Sequence, residues 1–221
     1  MLSDNFLLDL HVHSHYSRDS LISMNNLVRN IKKTGIVPMV CDHNTLTGSQ
    51  HFAAVLKDIN MDIPVILSEE ITTCEGEIIG IFLNEEIPSQ LTADETLDLI
   101  TDQGGLAIVP HPFDRYRKKA LVSAVLDNLI GKISLIEGYN GRTLNKDDNM
   151  KAVRYAQKHN CCITAGSDAH IPFELGKTYV EIAHFEGPEE FKQQLKTAKI
   201  HYKRANFGVH AITKIVKGIR D

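Results

Sequence analysis

The chain has 221 residues, 43% of them hydrophobic, with a formal charge of −4 and a pI near 6.2. That length supports one well-buried domain and is short for two large ones. The mild acidity excludes a basic stripe for nonspecific phosphate-backbone binding, so nucleic acid is not the default partner, although a nucleotide or oligonucleotide stays open as a substrate.

The opening MLSDNFLLDLHVHS lacks the basic region and apolar run of a signal peptide, and nowhere do about 18 apolar residues follow one another. A soluble cytoplasmic protein with no membrane partner is the expectation. The first apolar run, Phe6 to Leu10, has strand length. Ser23 to Gly35 then reads as an amphipathic helix: Ser23 caps it, Met24, Leu27, Val28 and Ile31 form its apolar face, and Gly35 ends it. The strand Ile36 to Cys41 precedes a helical pattern from Thr47 to Asn60, and Ile63 to Leu67 reads as the third strand. Ile78 to Leu83 follows with room only for a turn through Cys74-Glu75-Gly76 and reads as a hairpin-like excursion. Helical periodicity returns at Thr92 to Gln103, Lys119 to Leu129 and Lys146 to His159, alternating with strands at Leu106 to Val109, Ile133 to Ile136 and Cys161 to Ala165. After Gly187 come a helix at Pro188 to Ala198, an extended piece at Ile200 to Tyr202 and a last helix at Val209 to Ile219.

Continuous apolar strands alternating with amphipathic helices fit a sheet covered on both faces. The pattern suits a (β/α) barrel or an open doubly wound sheet; neither GxGxxG nor GxxxxGK[ST] is present, which favours the barrel. The four cysteines, Cys41, Cys74, Cys161 and Cys162, show no CxxC spacing and are expected to be buried free thiols.

Ligand-type residues collect at the carboxy-terminal ends of these strands. Alternation puts His11 and His13 on one side of the first strand, where they can share an ion. Asp19 follows in the next loop. The second strand ends in Cys41-Asp42-His43, the third in Ser68-Glu69-Glu70, the fourth in Pro110-His111-Pro112 and the sixth in Gly166-Ser167-Asp168-Ala169-His170. In a (β/α) barrel that rim carries the active site. So many ligands exceed one tetrahedral zinc site, which implies more than one ion, and a carboxylate such as Glu70 suits a bridge. Alternation turns Glu69 to the opposite face. Asp9 and Asp42 are expected to orient imidazoles.

These ordered motifs (Asp9-Leu-His11-Val-His13-Ser, Cys41-Asp42-His43-Asn44-Thr45, Glu70-Ile71, His111-Pro112-Phe113-Asp114-Arg115 and Gly166-Ser167-Asp168-Ala169-His170) resemble the polymerase and histidinol phosphatase (PHP) superfamily over residues 6 to 182. The resemblance implies one domain over 1–221, a distorted (β/α)7 barrel with 187–221 as a helical extension packed on it. It also implies a trinuclear centre. His11, His13, Glu70 and Asp168 would hold the first ion, Glu70 would bridge to a second bound also by His111, and Asp19, His43 and His170 would hold a third. Where many relatives have a histidine after the bridging glutamate this chain has Glu77, a harder ligand that favours manganese or magnesium over zinc.

The reading is therefore a phosphoesterase with two to three divalent ions (Mn, Zn, Fe or Mg) and a metal-activated hydroxide, acting on a small phosphorylated substrate. Arg115 and Arg117 are the candidate phosphate contacts. His15 is a candidate leaving-group acid, while His51, His159, His184, His201 and His210 read as ordinary surface positions. The alternatives are an amidohydrolase-type hydrolase using the same activated water, or a metal-binding module without activity.

Overall fold

The computed structural model describes residues 5–121 and 123–205, together with 213 and 218. Its elements follow the expected order: β1 (Asn5–Val12), α1 (Met24–Thr34), β2 (Ile36–His43), α2 (Thr47–Asp58), β3 (Ser68–Thr72), β4 (Glu77–Ile81), α3 (Ala93–Asp102), β5 (Leu106–Val109), α4 (Ser123–Leu129), β6 (Leu135–Asn140), α5 (Lys146–Lys158), β7 (Cys162–Gly166), β8 (Tyr179–Ala183), α6 (Gly187–Leu195) and β9 (Lys199–His201). Local chemistry sets several boundaries. Ser23 and Asn26 form a reciprocal capping box on α1, and Gly35 closes that helix at φ 73°, a left-handed conformation that glycine adopts without strain. Thr92 and Glu95 cap α3 in the same way.

Three expectations shift. Ile63 to Leu67 is not a strand; Pro64 removes a donor from that run, and pairing with β2 begins only at Ser68, opposite Cys41. The helix expected from Lys119 starts at Ser123, because the preceding segment lies along the β3–β4 turn. There the Lys119 carbonyl accepts from Glu77 N at 2.9 Å, and Gly76 sits so close that a Cβ on it would meet Leu121 Cα at 2.4 Å. Tyr179–Ala183, passed over in the sequence, is a strand. The helix expected at Val209 to Ile219 lies outside the described residues except for Thr213 and Gly218, as does His210.

The strands form one sheet in the order β7-β6-β5-β4-β3-β2-β1-β8-β9. β4 is antiparallel to both β3 and β5, so the expected excursion is a full stave of the wall. β1 forks: Asn5 to Leu8 pair antiparallel with β8, while its far end meets the segment after β7 through the Val12–Ala169 bridge. Asp168 N donates to His11 O at 2.7 Å and His13 N to Ala169 O at 2.9 Å. The sheet thereby rolls into a nearly closed mixed α/β barrel of β1 to β7. Gly166 permits the closure, since a Cβ there would stand 2.3 Å from His11 Cβ and 2.6 Å from His11 N.

Leu8, Leu10, Val37, Met39, Cys41, Ile79, Ile81, Ile108 and Leu135 fill the lower barrel as one apolar cluster. Strict alternation would put Leu10 and His11 on opposite faces. A bulge intervenes: Asp9 pairs with Pro38 but Val12 with Val40, so β1 carries one extra residue against β2. Pro38 offers no N–H to the ladder at that point. Leu10 therefore points into the apolar floor, His11 and His13 point into the barrel above it, and Val12 packs outside with Ile22, Leu27, Phe52 and Leu56 of the α1–α2 layer.

Candidate metal centre

The upper barrel gathers the ligand-type residues. His11 Nε2 and His13 Nε2 lie 3.1 Å apart, each 3.5 Å from an oxygen of Glu70. Asp168 Oδ1 is 3.8 Å from the former nitrogen and 3.6 Å from the latter. Four donors bonded to one tetrahedral ion at zinc-type distances stand about 3.3–3.6 Å from one another. The separations here, 3.1 to 3.8 Å, bracket that spacing. On the other side of Glu70, His111 Nε2 is 3.3 Å from Oε1 and 4.0 Å from Glu77 Oε2, and His43 Nδ1 is 3.8 Å from Glu77 Oε1. Asp19 lies 3.7 Å from His43 Nε2 and 3.5 Å from His170 Nε2. The donors of His13, His43 and His170, of His11, Glu70 and His111, and of His43, Glu70 and Glu77 each lie within 4.8 Å of one another. Cys41 falls into a further such group with His11 and His13, but burial pushes its thiol up and it sits in the apolar floor.

Two observations show that the cluster fits cations. First, Glu70 Oε1 and Oε2, Asp168 Oδ1, Asp19 Oδ1, His43 Nδ1 and both His111 ring nitrogens are buried without a hydrogen bond, a costly state that bound ions relieve. Second, the carboxylates demand positive charge. Burial opposes ionisation of Glu70, yet His11 and His43 outweigh it and hold its carboxyl well below the usual range. Asp168 is held down against burial by Arg117 and His11, and Asp19 against burial by His170 and His43. Reciprocally, burial disfavours the His43 imidazolium, but Glu70 and Asp19 push its pKa up to about 10.

The imidazoles are oriented from behind. His11 Nδ1 donates to Glu137 Oε1 at 3.0 Å, His13 Nδ1 to Ser17 Oγ at 3.3 Å and His170 Nδ1 to the Asp168 carbonyl at 2.9 Å. Each Nε2 is thus left with its lone pair toward the cluster. Asp42, expected to orient an imidazole, reaches one through a serine: it accepts from the amides and hydroxyls of Ser14 and Ser17, and the Ser17 hydroxyl meets His13. Asp9 orients no imidazole; it accepts from Ser167 N, Ser167 Oγ and Gly176 N and pins the β7 loop. Backbone strain accompanies the ligands, with His111 at φ 32° and Asp168 at φ 55°.

The cluster opens into a cavity of about 690 Å³ whose wall carries Arg18, Arg117, Lys118, Lys119 and Arg142. Of the two arginines expected at the phosphate, Arg117 lines this cavity and pairs with Asp168 Oδ2. Arg115 does not: its guanidinium is turned onto Asp148, with Nη2 to Oδ1 at 2.7 Å. His15 is exposed and lies against Tyr16 with ring centroids 4.5 Å apart, away from the ligands. Glu69 faces outward as alternation requires and accepts from Ile87 N at 2.7 Å. All four cysteines are free, but Cys74 is exposed. Glu137, Asn140, Ser17 and the buried Arg142 were not singled out from the sequence. Only Glu137 carried a signal, as a carboxylate in the apolar strand Leu135-Ile136-Glu137.

Fold and cluster together define a nearly closed mixed α/β barrel built around buried His/carboxylate groups that could hold metal ions. Residues 146–200 match the family model described as PHP-associated. The uncharacterized protein MJ0417 of Methanocaldococcus jannaschii is 38% identical over 199 residues, covering 86% of this chain and 78% of that protein. Among solved structures, a two-domain Bacteroides vulgatus protein described as containing a predicted PHP-like metal-dependent phosphoesterase superposes with TM-score 0.73 at 17% identity, over 96% of this chain and 69% of that one. The lesion-specific endonuclease EndoQ of Pyrococcus furiosus gives 0.62 at 19% identity, over 89% and 57%. The chain thus belongs to one family with MJ0417, carries a PHP-associated segment and shares the fold of PHP-like metal-dependent phosphoesterases. Among the described residues no helix is long and apolar enough to cross a membrane.

Proposed function

We propose that the chain is a metal-dependent phosphoesterase. The observation that carries the reading is the pairing of orphaned buried ligand atoms with a cationic cavity wall, on a chain whose net charge is −4. A phosphoryl group, charged and rich in acceptor oxygens, suits a wall carrying five basic side chains better than a neutral amide does.

His11, His13, Glu70 and Asp168 would hold a first ion, Glu70 with His111 and Glu77 a second, and Asp19, His43 and His170 a third. Glu77 in place of an imidazole inclines the second position toward Mn or Mg. Bound divalent ions supply neutralising charge and an acidified water for in-line displacement at phosphorus. The protein's own part is positional. Glu137 and Ser17 fix the imidazole tautomers, and Arg117, braced 3.4 Å from Asp114 Oδ2, presents donors to non-bridging phosphate oxygens.

The test is a panel of phosphomonoesters, phosphodiesters, nucleotides and short oligonucleotides assayed with added Mn²⁺, alongside direct measurement of bound metal. Metal-dependent turnover of a phosphate ester is expected. Bound metal with no turnover on any member would sink the enzyme reading and leave a binding module.

A further inference from the structure

We infer that Asn140 is a positioning residue for the first ion, acting as a clip between two carboxylates. The inference rests on the metal reading above. Asn140 is fully buried at the end of β6. Its Oδ1 accepts from Arg142 N at 2.8 Å and Thr143 N at 3.1 Å, which fixes the amide orientation, because only the oxygen can face two N–H groups. The Nδ2 group then points the other way and donates one hydrogen to Glu137 Oε2 and one to Asp168 Oδ2, both at 3.0 Å.

These two acceptors serve the same ion site by different routes. Glu137 uses its other oxygen, Oε1, to receive His11 Nδ1 at 3.0 Å, while Oε2 also takes His111 N at 2.8 Å. Asp168 uses Oδ2 for Arg117 and Asn140 and leaves Oδ1, without a hydrogen bond, facing His11 and His13. Asn140 thereby keeps two buried anions at a fixed separation and prevents Asp168 from rotating its ligating oxygen away. A neutral two-hydrogen donor is the group this position requires: a carboxylate would repel both neighbours, and a hydroxyl would serve one.

Asn140 also has a local task, since its Oδ1 closes the turn from Asn140 to Thr143. The two tasks reside on different atoms, so they separate. Asn140→Asp keeps the turn acceptor and removes the two donated hydrogens; Asn140→Ser keeps one hydroxyl hydrogen. Titration of the full-length metal-free variants with Co²⁺, read by visible absorption and by equilibrium stoichiometry, is the experiment, with circular dichroism and thermal melting as the check on folding. For N140D the affinity of one Co²⁺ falls about 10- to 100-fold with a changed absorption band, the remaining ions bind as in the wild type, and N140S lies between. Wild-type Co²⁺ affinity and spectrum in both variants would overturn the clip, and N140S alone decides if N140D does not fold. A wild-type chain that binds no Co²⁺ would instead bring down the metal reading itself.

Discussion

The lower and upper halves of the barrel share three strands and obey opposite rules. Below, Leu8, Leu10, Met39, Ile79, Ile81 and Leu135 make an apolar floor. Above, His11, His13, His43 and Glu77 continue β1, β2 and β4 and Glu70 is added from β3, with polar atoms several of which are buried without a hydrogen bond. The floor lowers the free energy of the fold by removing apolar area from water. The upper half raises it, through like-charged neighbours and left-handed backbone at His111 and Asp168, and is held only because the floor and the outer helices stabilise the whole. Ligand-type residues and floor residues are thus divided along β1, β2 and β4 rather than between those strands.

The largest expected effects separate the halves. Glu70→Gln lowers turnover by more than about 100-fold, because the carboxylate charge is lost, while the melting temperature of metal-free protein falls only modestly, since the burial cost of the carboxylate goes together with its pairing to His11 and His43. Stability that falls as far as activity would contradict the division. Chelation removes activity in the same way and also lowers the melting temperature of wild type, the unfolding free energy falling by about 2.7 kcal/mol for each site that had been held at 100 times its dissociation constant. Restoring Mn²⁺ reverses both. Leu10→Ala inverts the pattern: it costs about 2–5 kcal/mol in denaturant unfolding, with bound metal per folded molecule unchanged.

Gly166→Ala tests the seam where β1 closes on β7 beneath the ligands. Its Cβ has no room beside the His11 backbone, so about 1–3 kcal/mol of stability and one bound ion are lost together; retention of full metal stoichiometry would show that β1 and β7 can separate freely. Next, Arg117→Ala lowers kcat/KM by about tenfold or more, the worth of a charge-assisted hydrogen bond, whereas Arg115→Ala leaves it within about twofold. An equal loss in both would mean the loop rearranges around substrate.

The smallest effect belongs to the pair on the outer surface. Burial opposes ionisation of Asp148, but Arg115 outweighs it and holds the carboxyl below its ordinary value. A depressed carboxyl contributes stability above its unfolded pKa, about 3.9, and loses that contribution as pH falls through the folded value. Urea midpoints of wild type and Arg115→Ala should therefore differ at pH 7 and converge in acid. A difference that persists in acid would assign Arg115 a role other than ion pairing.

Where the sequence spoke through spacing along one strand or helix, it was sufficient. The HxH pair, the Glu69/Glu70 choice, the capped helix after Ser23 and the barrel itself depend on periodicities of two and 3.6 and on neighbours a few residues apart. What only the tertiary structure decided involves partners far apart in the chain. The bulge opposite Pro38 puts Leu10 and His11 into the same barrel, yet nothing in Asp9-Leu10-His11 announces it. Asn140 touches Asp168 across the seam, Asp42 reaches His13 through Ser17, and Asp148 takes the Arg115 guanidinium. β8 was missed because its short alternation becomes a strand only when the first half of β1 offers an edge. The physical reason is common to all of these: a side chain's periodicity fixes which face it occupies, but its role is fixed by the charge and hydrogen-bond capacity of whatever the fold brings opposite.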